Sequence, residues 1–388
     1  MFERDTLHKI TVHEDGENES EDDMDMIVSF TVDRNPALLA DHQLTVTNSE
    51  IVAAPDEKEL KEYYSDDFFS IIPSDILSGI LSAWLSITDL SHLDVAASSK
   101  IGRYAFLNCL NSSTATHFGS KKAYGNDYVL WLNSRNVLIR CFVGNRTYLS
   151  DESIVKVKSI NDNCFSGLLH LDLQNCVKVK ESCVLQILES CKKLKILNLS
   201  SCFTSNAVLM KISVCLPSLE SLNLMGNTRI SDTSMIAVVK NCPYINSLNL
   251  SYCNKLTERS YIAICQSLNL IHLRLIGCMN LTDNILLKIA INLKLLKTFD
   301  IDNCLHITLS NLTLALKNMK FLESLDLPAV QIFADLQDFL HLLRNCQQLH
   351  RLGIRNVSHI NFDTEIKKSY PNLFIDRYSP NSKKTFLH

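Results

Sequence analysis

A short apolar phrase recurs along this chain at a nearly constant interval, and no other feature limits its folding so tightly. It reads Leu168-x-x-Leu171-x-Leu173, Leu194-x-x-Leu197-x-Leu199, Leu219-x-x-Leu222-x-Leu224, Ile245-x-x-Leu248-x-Leu250, Leu270-x-x-Leu273-x-Leu275 and Leu296-x-x-Phe299-x-Ile301. Weaker copies follow at Leu322-x-x-Leu325-x-Leu327 with Val330, and at Leu349-x-x-Leu352-x-Ile354 with Val357. A landmark closes each of the six strong copies: Cys176, Cys202, Asn227, Cys253, Cys278 and Cys304, at intervals of 26, 25, 26, 25 and 26 residues. A unit this short cannot bury its own leucines. Stacked units can, so the repeat predicts a solenoid whose core is continuous from one unit to the next.

Within a phrase, Leu-x-Leu alternation sends the two leucines inward and the residue between them outward, as in a strand. The landmark then turns the chain. An asparagine there can bond buried backbone groups, and a cysteine offers a weak S–H donor of small volume. The second half of each unit also repeats: Ile230-Ser231-Asp232 precedes Met235, Val238 and Cys242, and Leu281-Thr282-Asp283 precedes Leu286, Ile289 and Leu293. Leu256-Thr257-Glu258 and Leu149-Ser150-Asp151 open in the same way. Oxygen-bearing side chains at these starts accept N–H bonds that a first helical turn leaves over. Each unit is therefore expected to run strand, turn, helix, turn.

The unit length and phrase, with Cys164, Cys191, Cys215, Cys242 and Cys346 each closing a helix before the next strand, resemble the cysteine-containing subclass of leucine-rich repeats. The resemblance covers roughly residues 137–376. It implies an α/β fold: a leucine-rich-repeat solenoid, drawn as a right-handed horseshoe with a parallel concave sheet and outer helices. Longer ribonuclease-inhibitor-like repeats match less well, because their unit is a few residues longer. The subclass is familiar from F-box substrate receptors of ubiquitin ligases and from related proteins that lack an F-box.

Charge divides the chain before the repeats begin. Residues 1–67 hold 19 of its 42 acids and 5 of its 38 bases, a net of −14, and the remainder carries 33 bases against 23 acids. The run Glu14-Asp15-Gly16-Glu17-Asn18-Glu19-Ser20-Glu21-Asp22-Asp23 cannot form a core. Four segments are expected: an acidic, mostly disordered tail over 1–67, a helical F-box-like or capping segment over 68–118, the leucine-rich-repeat domain over 119–378, and a C-terminal tail over 379–388. No apolar run is long enough to span a bilayer, and residues 1–11 do not read as a secretory leader. The 14 cysteines are then expected as reduced thiols in the cytoplasm or nucleus. Eleven of them fall at repeat positions and read as packing residues.

The segment ahead of the repeats has its own pattern. Pro73 suits a first helical position, and Leu77, Ile80, Leu81, Trp84 and Leu85 form one apolar stripe. Thr88-Asp89 opens a second helix with a face of Leu90, Leu93, Ala97 and Ile101. The order Ile72-Pro73, Asp75-Ile76-Leu77, Ile80-Leu81, Leu85, Asp89-Leu90 and Leu93 resembles an F-box. In that family such residues dock the S-phase-kinase-associated adaptor that bridges to cullin. The resemblance thus implies adaptor contacts at Ile72, Pro73, Leu77, Ile80, Leu81, Leu85 and Leu90. The tryptophan expected after Ser99-Lys100-Ile101-Gly102-Arg103-Tyr104 is absent, so the F-box is degenerate. A bare cap on the open end of the solenoid would show the same apolar stripe.

Between the inward leucines stands a column of Asp172, Asn198, Asn223, Asn249, Arg274, Asp300, Asp326 and Gly353. The three asparagines read as a solvated strand surface. From Tyr252 onward the outward residues diversify into arginine, tyrosine, histidine and aspartate, the first two being common interface anchors. The expected partner-binding residues are Tyr252, His272, Arg274, Asp300, Asp302, Asp326, Arg351 and Arg355. His170 is expected to face solvent as well.

Catalysis finds no motif: there is no phosphate-binding loop, no His-Glu-x-x-His, no Gly-x-Ser-x-Gly and no Cys-x-x-Cys. No catalytic, cofactor or metal residue is assigned, and no dense Lys/Arg cluster points to nucleic acid. The expected function is protein interaction, as the substrate-recognition subunit of a cullin-type ubiquitin ligase that holds a protein target on its repeats. The alternative is a ligase-independent leucine-rich-repeat scaffold or adaptor.

Overall fold

The computed structural model describes residues 94, 103, 104, 106, 107, 140–144, 165–327, 336–354, 366 and 368–377. The expected acidic tail, the adaptor residues Ile72 to Leu90, Arg355, and the Val330 and Val357 ends of the weak repeats lie outside them. Ten described strands form one sheet in sequence order, each parallel to its neighbours. They are β1 Cys141–Val143, β2 His170–Asp172, β3 Ile196–Asn198, β4 Ser221–Asn223 and β5 Ser247–Asn249. Then come β6 His272–Arg274, β7 Thr298–Asp300, β8 Ser324–Asp326, β9 Arg351–Ile354 and β10 Phe374–Arg377. Seven described helices intervene: α1 Glu181–Ser190, α2 Asn206–Cys215, α3 Asp232–Asn241, α4 Glu258–Ser267, α5 Asp283–Asn292, α6 Leu309–Leu316 and α7 Leu336–Leu343. Parallel neighbours require a crossover, and among the described residues one helix serves each step from β2 to β9.

Register follows the phrase. Leu171, Leu197, Leu222, Leu248, Leu273, Phe299, Leu325 and Leu352 pair in turn across the sheet. All are buried, as are the first and last apolar residues of the six strong phrases. From the helices come Ile187 and Leu188, Leu209 and Ile212, Met235 and Val238, Ile264 and Cys265, and Leu286 and Ile289, each pair buried against them. Every such side chain contributes about 2 kcal/mol of apolar burial, and none could be buried by its own repeat alone. Phe106 and Leu107 belong to the same core cluster as Phe142, Phe165 and Leu168. Arg103 joins them to the segment before, with Nε 3.2 Å from Asp94 Oδ1 and Nη2 donating to the Asp94 carbonyl at 3.0 Å.

The landmark column behaves as its chemistry predicts. Thiols of Cys202, Cys253, Cys278 and Cys304 donate to carbonyls of the preceding repeat: Leu173 at 2.8 Å, Leu224 at 3.2 Å, Leu250 at 3.3 Å and Leu275 at 3.0 Å. Burial pushes the Cys253 thiol up to about 12 and those of Cys202 and Cys278 up to about 11, so all three stay protonated and able to donate. Asn227 makes more of the same place. Its Nδ2 donates to Leu199 O (2.8 Å) and Leu224 O (2.9 Å), while its Oδ1 accepts from Thr204 N (2.8 Å).

The two short intervals arise at opposite ends of the unit. Between landmark and helix cap stand three residues in most repeats, as from Asn227 to Ser231, but only two from Cys202 to Ser205. There Phe203 takes a φ of +54° to close the shortened loop. The second deletion follows α4: its C-cap Leu268 is one residue nearer the next phrase than Cys242 is after α3.

Helices are capped partly by the repeat before them. Ser205, Thr257 and Thr308 accept from N–H groups of their own helices. Ser231 and Thr282 do not, which differs from the expected local cap. The Ser231 N–H instead reaches Asn206 Oδ1 at 2.8 Å, across one repeat. Asp232 likewise accepts from Thr257 N and Oγ1 and from Ser260 Oγ, at 2.8, 2.6 and 2.5 Å. Burial raises the Asp232 pKa, but these hydrogen bonds outweigh it and hold the carboxyl below its usual range.

Candidate protein-interaction face

The sheet face away from the leucines carries two side chains per strand. One column is the set between the leucines; the other is His170, Ile196, Ser221, Ser247, His272, Thr298, Ser324 and Arg351. Asn198, Asn223, Asn249, Asp300 and Asp326 are buried, which corrects the expected solvated surface. Asp326 pairs with Arg351; the other side chains turn back onto the backbone. Asp172 Oδ1 accepts from Gln174 N (2.8 Å), Asn198 from Ser200 N (3.0 Å), Asn223 from Met225 N (3.1 Å), Asn249 from Ser251 N (3.0 Å) and Asp300 from Asp302 N (3.2 Å). Such an Asx arrangement satisfies the N–H two residues on and starts the turn. Asn198 Nδ2 also donates to Asp172 Oδ2 across the strands at 3.1 Å.

After that turn each of six repeats places one residue in the left-handed region: Asn175, Ser201, Gly226, Tyr252, Gly277 and Asn303, with φ between 55° and 77°. Glycine and asparagine favour it; serine and tyrosine adopt it at a cost of about 1 kcal/mol. The turn brings these N–H groups onto the next repeat, as Ser201 N onto Met225 O and Tyr252 N onto Ile276 O, both at 2.8 Å.

Arg274 breaks the column. An arginine has no acceptor, so it cannot receive the N–H of Ile276. That group donates instead to Ser251 Oγ of the preceding repeat at 3.1 Å. Arg274, half-buried, is therefore relieved of the backbone duty that its neighbours in the column perform.

The remaining expected contacts are distributed around it. Half-buried His272 has Nδ1 2.8 Å from Thr298 Oγ1, and the ring of half-buried Tyr252 lies against Gly277. Asp300 and Asp302 are buried. Arg351 bridges two strands: Nη1 stands 3.1 Å from Asp326 Oδ2, and Nη2 stands 2.7 Å from Asp376 Oδ2. Asp376 was not foreseen, because the last strand follows a unit with no clear phrase. Half-buried His170 has Nδ1 3.4 Å from Cys141 Sγ, so it meets β1 where solvent was expected. Among the described residues no group of three or more His, Cys, Asp and Glu could hold a metal ion, and no helix is long and apolar enough to cross a membrane.

Ten parallel strands in sequence order, leucine phrases buried in register and a landmark bonded to the preceding repeat define a leucine-rich-repeat solenoid. Its sequence resembles F-box/leucine-rich-repeat proteins: it is 25% identical over 304 residues to F-box/LRR-repeat protein 4 of Bos taurus, covering 75% of this chain and 47% of that protein. The chain thus spans about half the length of the curated relative that it matches. No family model matches. Among solved structures, one of the Rad7 and Elc1 complex in yeast aligns with a TM-score of 0.44 and 16% identity, over 81% of this chain and 91% of that one.

Proposed function

We propose that this protein is the substrate-recognition subunit of a cullin-type ubiquitin ligase and performs no chemistry itself. Residues 68–118 would engage the S-phase-kinase-associated adaptor through Ile72, Pro73, Leu77, Ile80, Leu81, Leu85 and Leu90. A target protein would lie on the sheet face around Tyr252, His272 and Arg274, with Arg351 and Arg355 completing it, while the buried Asp300, Asp302 and Asp326 would support that face from beneath. The likeness to F-box/LRR-repeat protein 4 carries this reading, since it spans three-quarters of the chain. Such a subunit would work in the cytoplasm or nucleus, where free thiols persist.

One observation favours the scaffold alternative. Phe106 is fully buried in the same core cluster as Phe142 and Leu168, as a cap on the solenoid requires. Binding of the purified full-length protein to the adaptor separates the two. We expect binding that a Leu81→Asp/Leu85→Asp variant loses while its circular dichroism stays unchanged. A folded wild-type protein that ignores the adaptor would leave the scaffold.

A further inference from the structure

The edge of the solenoid where helices hand over to strands exposes apolar side chains in several repeats, Val214 and Tyr244 among them at 74% and 67%, and gathers lysines around them toward its C-terminal end. Toward the C-terminal end it carries Ile291, Leu295 and Phe321, which are 56%, 53% and 49% exposed. Leu295 and Phe321 occupy the same position in successive repeats, just before the phrases at Leu296 and Leu322. Ile291, in the last turn of α5, stands four residues before Leu295, which lies beyond the helix end at Leu293. Exposed lysines stand among them: Lys294 beside Leu295, Lys320 beside Phe321, and Lys317 at the C-cap of α6. Arg344, also exposed, continues the set just beyond α7. Glu323 is the acid nearest in sequence to this stripe, and Lys297 already binds it at 2.8 Å.

Neither half of this composition is explained by the fold. Lysines near helix C-termini complement the helix dipole, but that leaves the apolar exposure unaccounted for. The inward residues at Leu293, Leu296, Met319 and Leu322 already supply the core. Large apolar side chains at Ile291, Leu295 and Phe321 on one edge mark a contact surface, and the lysines fix the sign of what it contacts. The set follows the solenoid axis in steps of one repeat, about 4.8 Å between strands, and is narrow across it. A bilayer needs a broad face; a narrow stripe suits an extended polypeptide.

We infer that this edge, from Ile291 to Arg344, docks an acidic protein segment that carries interspersed apolar side chains. The carboxylates meet Lys294, Lys317, Lys320 and Arg344, and the apolar residues cover Leu295 and Phe321. This surface is distinct from the sheet face around Arg274 and does not depend on adaptor binding.

The test is fluorescence anisotropy of the full-length protein with a labelled synthetic peptide in which Asp and Glu alternate with Leu and Phe. Binding is expected to weaken with added salt. It should fall about tenfold or more in Lys294→Glu/Lys320→Glu and in Leu295→Ser/Phe321→Ser, but not in Lys192→Glu, which lies on the same edge several repeats away. All three variants should melt with the wild type, since exposed substitutions seldom cost more than about 0.5 kcal/mol; if the serine variant fails to fold, the charge-reversed pair decides alone. Absence of binding, equal loss in Lys192→Glu, or binding to phosphatidylserine vesicles in place of the peptide would overturn the inference.

Discussion

The ring of Tyr252 fills the space into which any side chain at Gly277 would project, for a Cβ there would stand 2.6 Å from Tyr252 Cδ1. The two residues occupy the same left-handed position in successive repeats, with φ of 59° and 62°. An aromatic residue at one is compatible with glycine at the next.

Replacing Gly277 by alanine should therefore cost about 2 kcal/mol, part from the backbone and part from displacing the ring. In a Tyr252→Ala background the same change should cost only about 1 kcal/mol. Urea unfolding of the four proteins measures the coupling. Identical costs in both backgrounds would show that the ring plays no part.

Asn227 is the landmark where cysteine will not do as well. The preceding loop is one residue short, which brings Thr204 N to Asn227 Oδ1. Alanine at this position strands that N–H and two carbonyls, at about 3 kcal/mol. Cysteine could still donate to Leu199 O, as Cys253 does to Leu224 O, so Asn227→Cys should lose about half as much. If the two variants unfold at the same denaturant concentration, the hydrogen bonds of the landmark are not what stabilises the turn.

Raised thiol pKa values make the solenoid sensitive to base. The folded state holds the protons of Cys202, Cys253, Cys278 and Cys346 more tightly than an unfolded chain, whose thiols titrate near 9.0. Their contribution is complete below pH 9 and is lost as pH climbs toward 11 and 12. Thermal melts should be level from neutral pH to about 9 and fall above it, with thiolate absorbance in the ultraviolet appearing together with unfolding. Thiolate absorbance from a still-folded protein near pH 9 would contradict the burial of these groups.

Arg274 and Asn249 occupy equivalent strand positions and should respond unequally to truncation. Asn249→Ala removes the acceptor for Ser251 N and is expected to cost about 2 kcal/mol. Arg274→Ala leaves the Ile276 N–H with Ser251 Oγ and should cost about 1 kcal/mol or less. Comparable losses by chemical denaturation would mean that Arg274 supports the fold as much as the turn bond of Asn249 does.

Much of this was legible along the chain. The phrases Leu194-x-x-Leu197-x-Leu199 to Leu296-x-x-Phe299-x-Ile301 fixed strands, register and buried leucines, because a two-residue alternation and a fixed period admit one stacking. The landmark cysteines were legible too, since a small donor at a fixed distance from the strand meets the same carbonyl in each repeat. The interaction face was less so. Asn198, Asn223 and Asn249 read as wet surface residues because a polar side chain between leucines points away from the core. That they bend back to cap the turn depends on the left-handed residue ahead and on the adjacent strand.

The sequence by itself determined the repeat, its length, its core and the chemistry of its turns, all of which follow from local spacing. Only the tertiary structure decided which polar residues are occupied. Asp326 is held by Arg351, which reaches on to Asp376 across the next strand. Ser251 serves Ile276 and so relieves Arg274. These partners lie about 25 residues apart in the chain and become neighbours only when the repeats stack. Side chains a few ångströms apart choose partners by distance and direction, which no local period encodes.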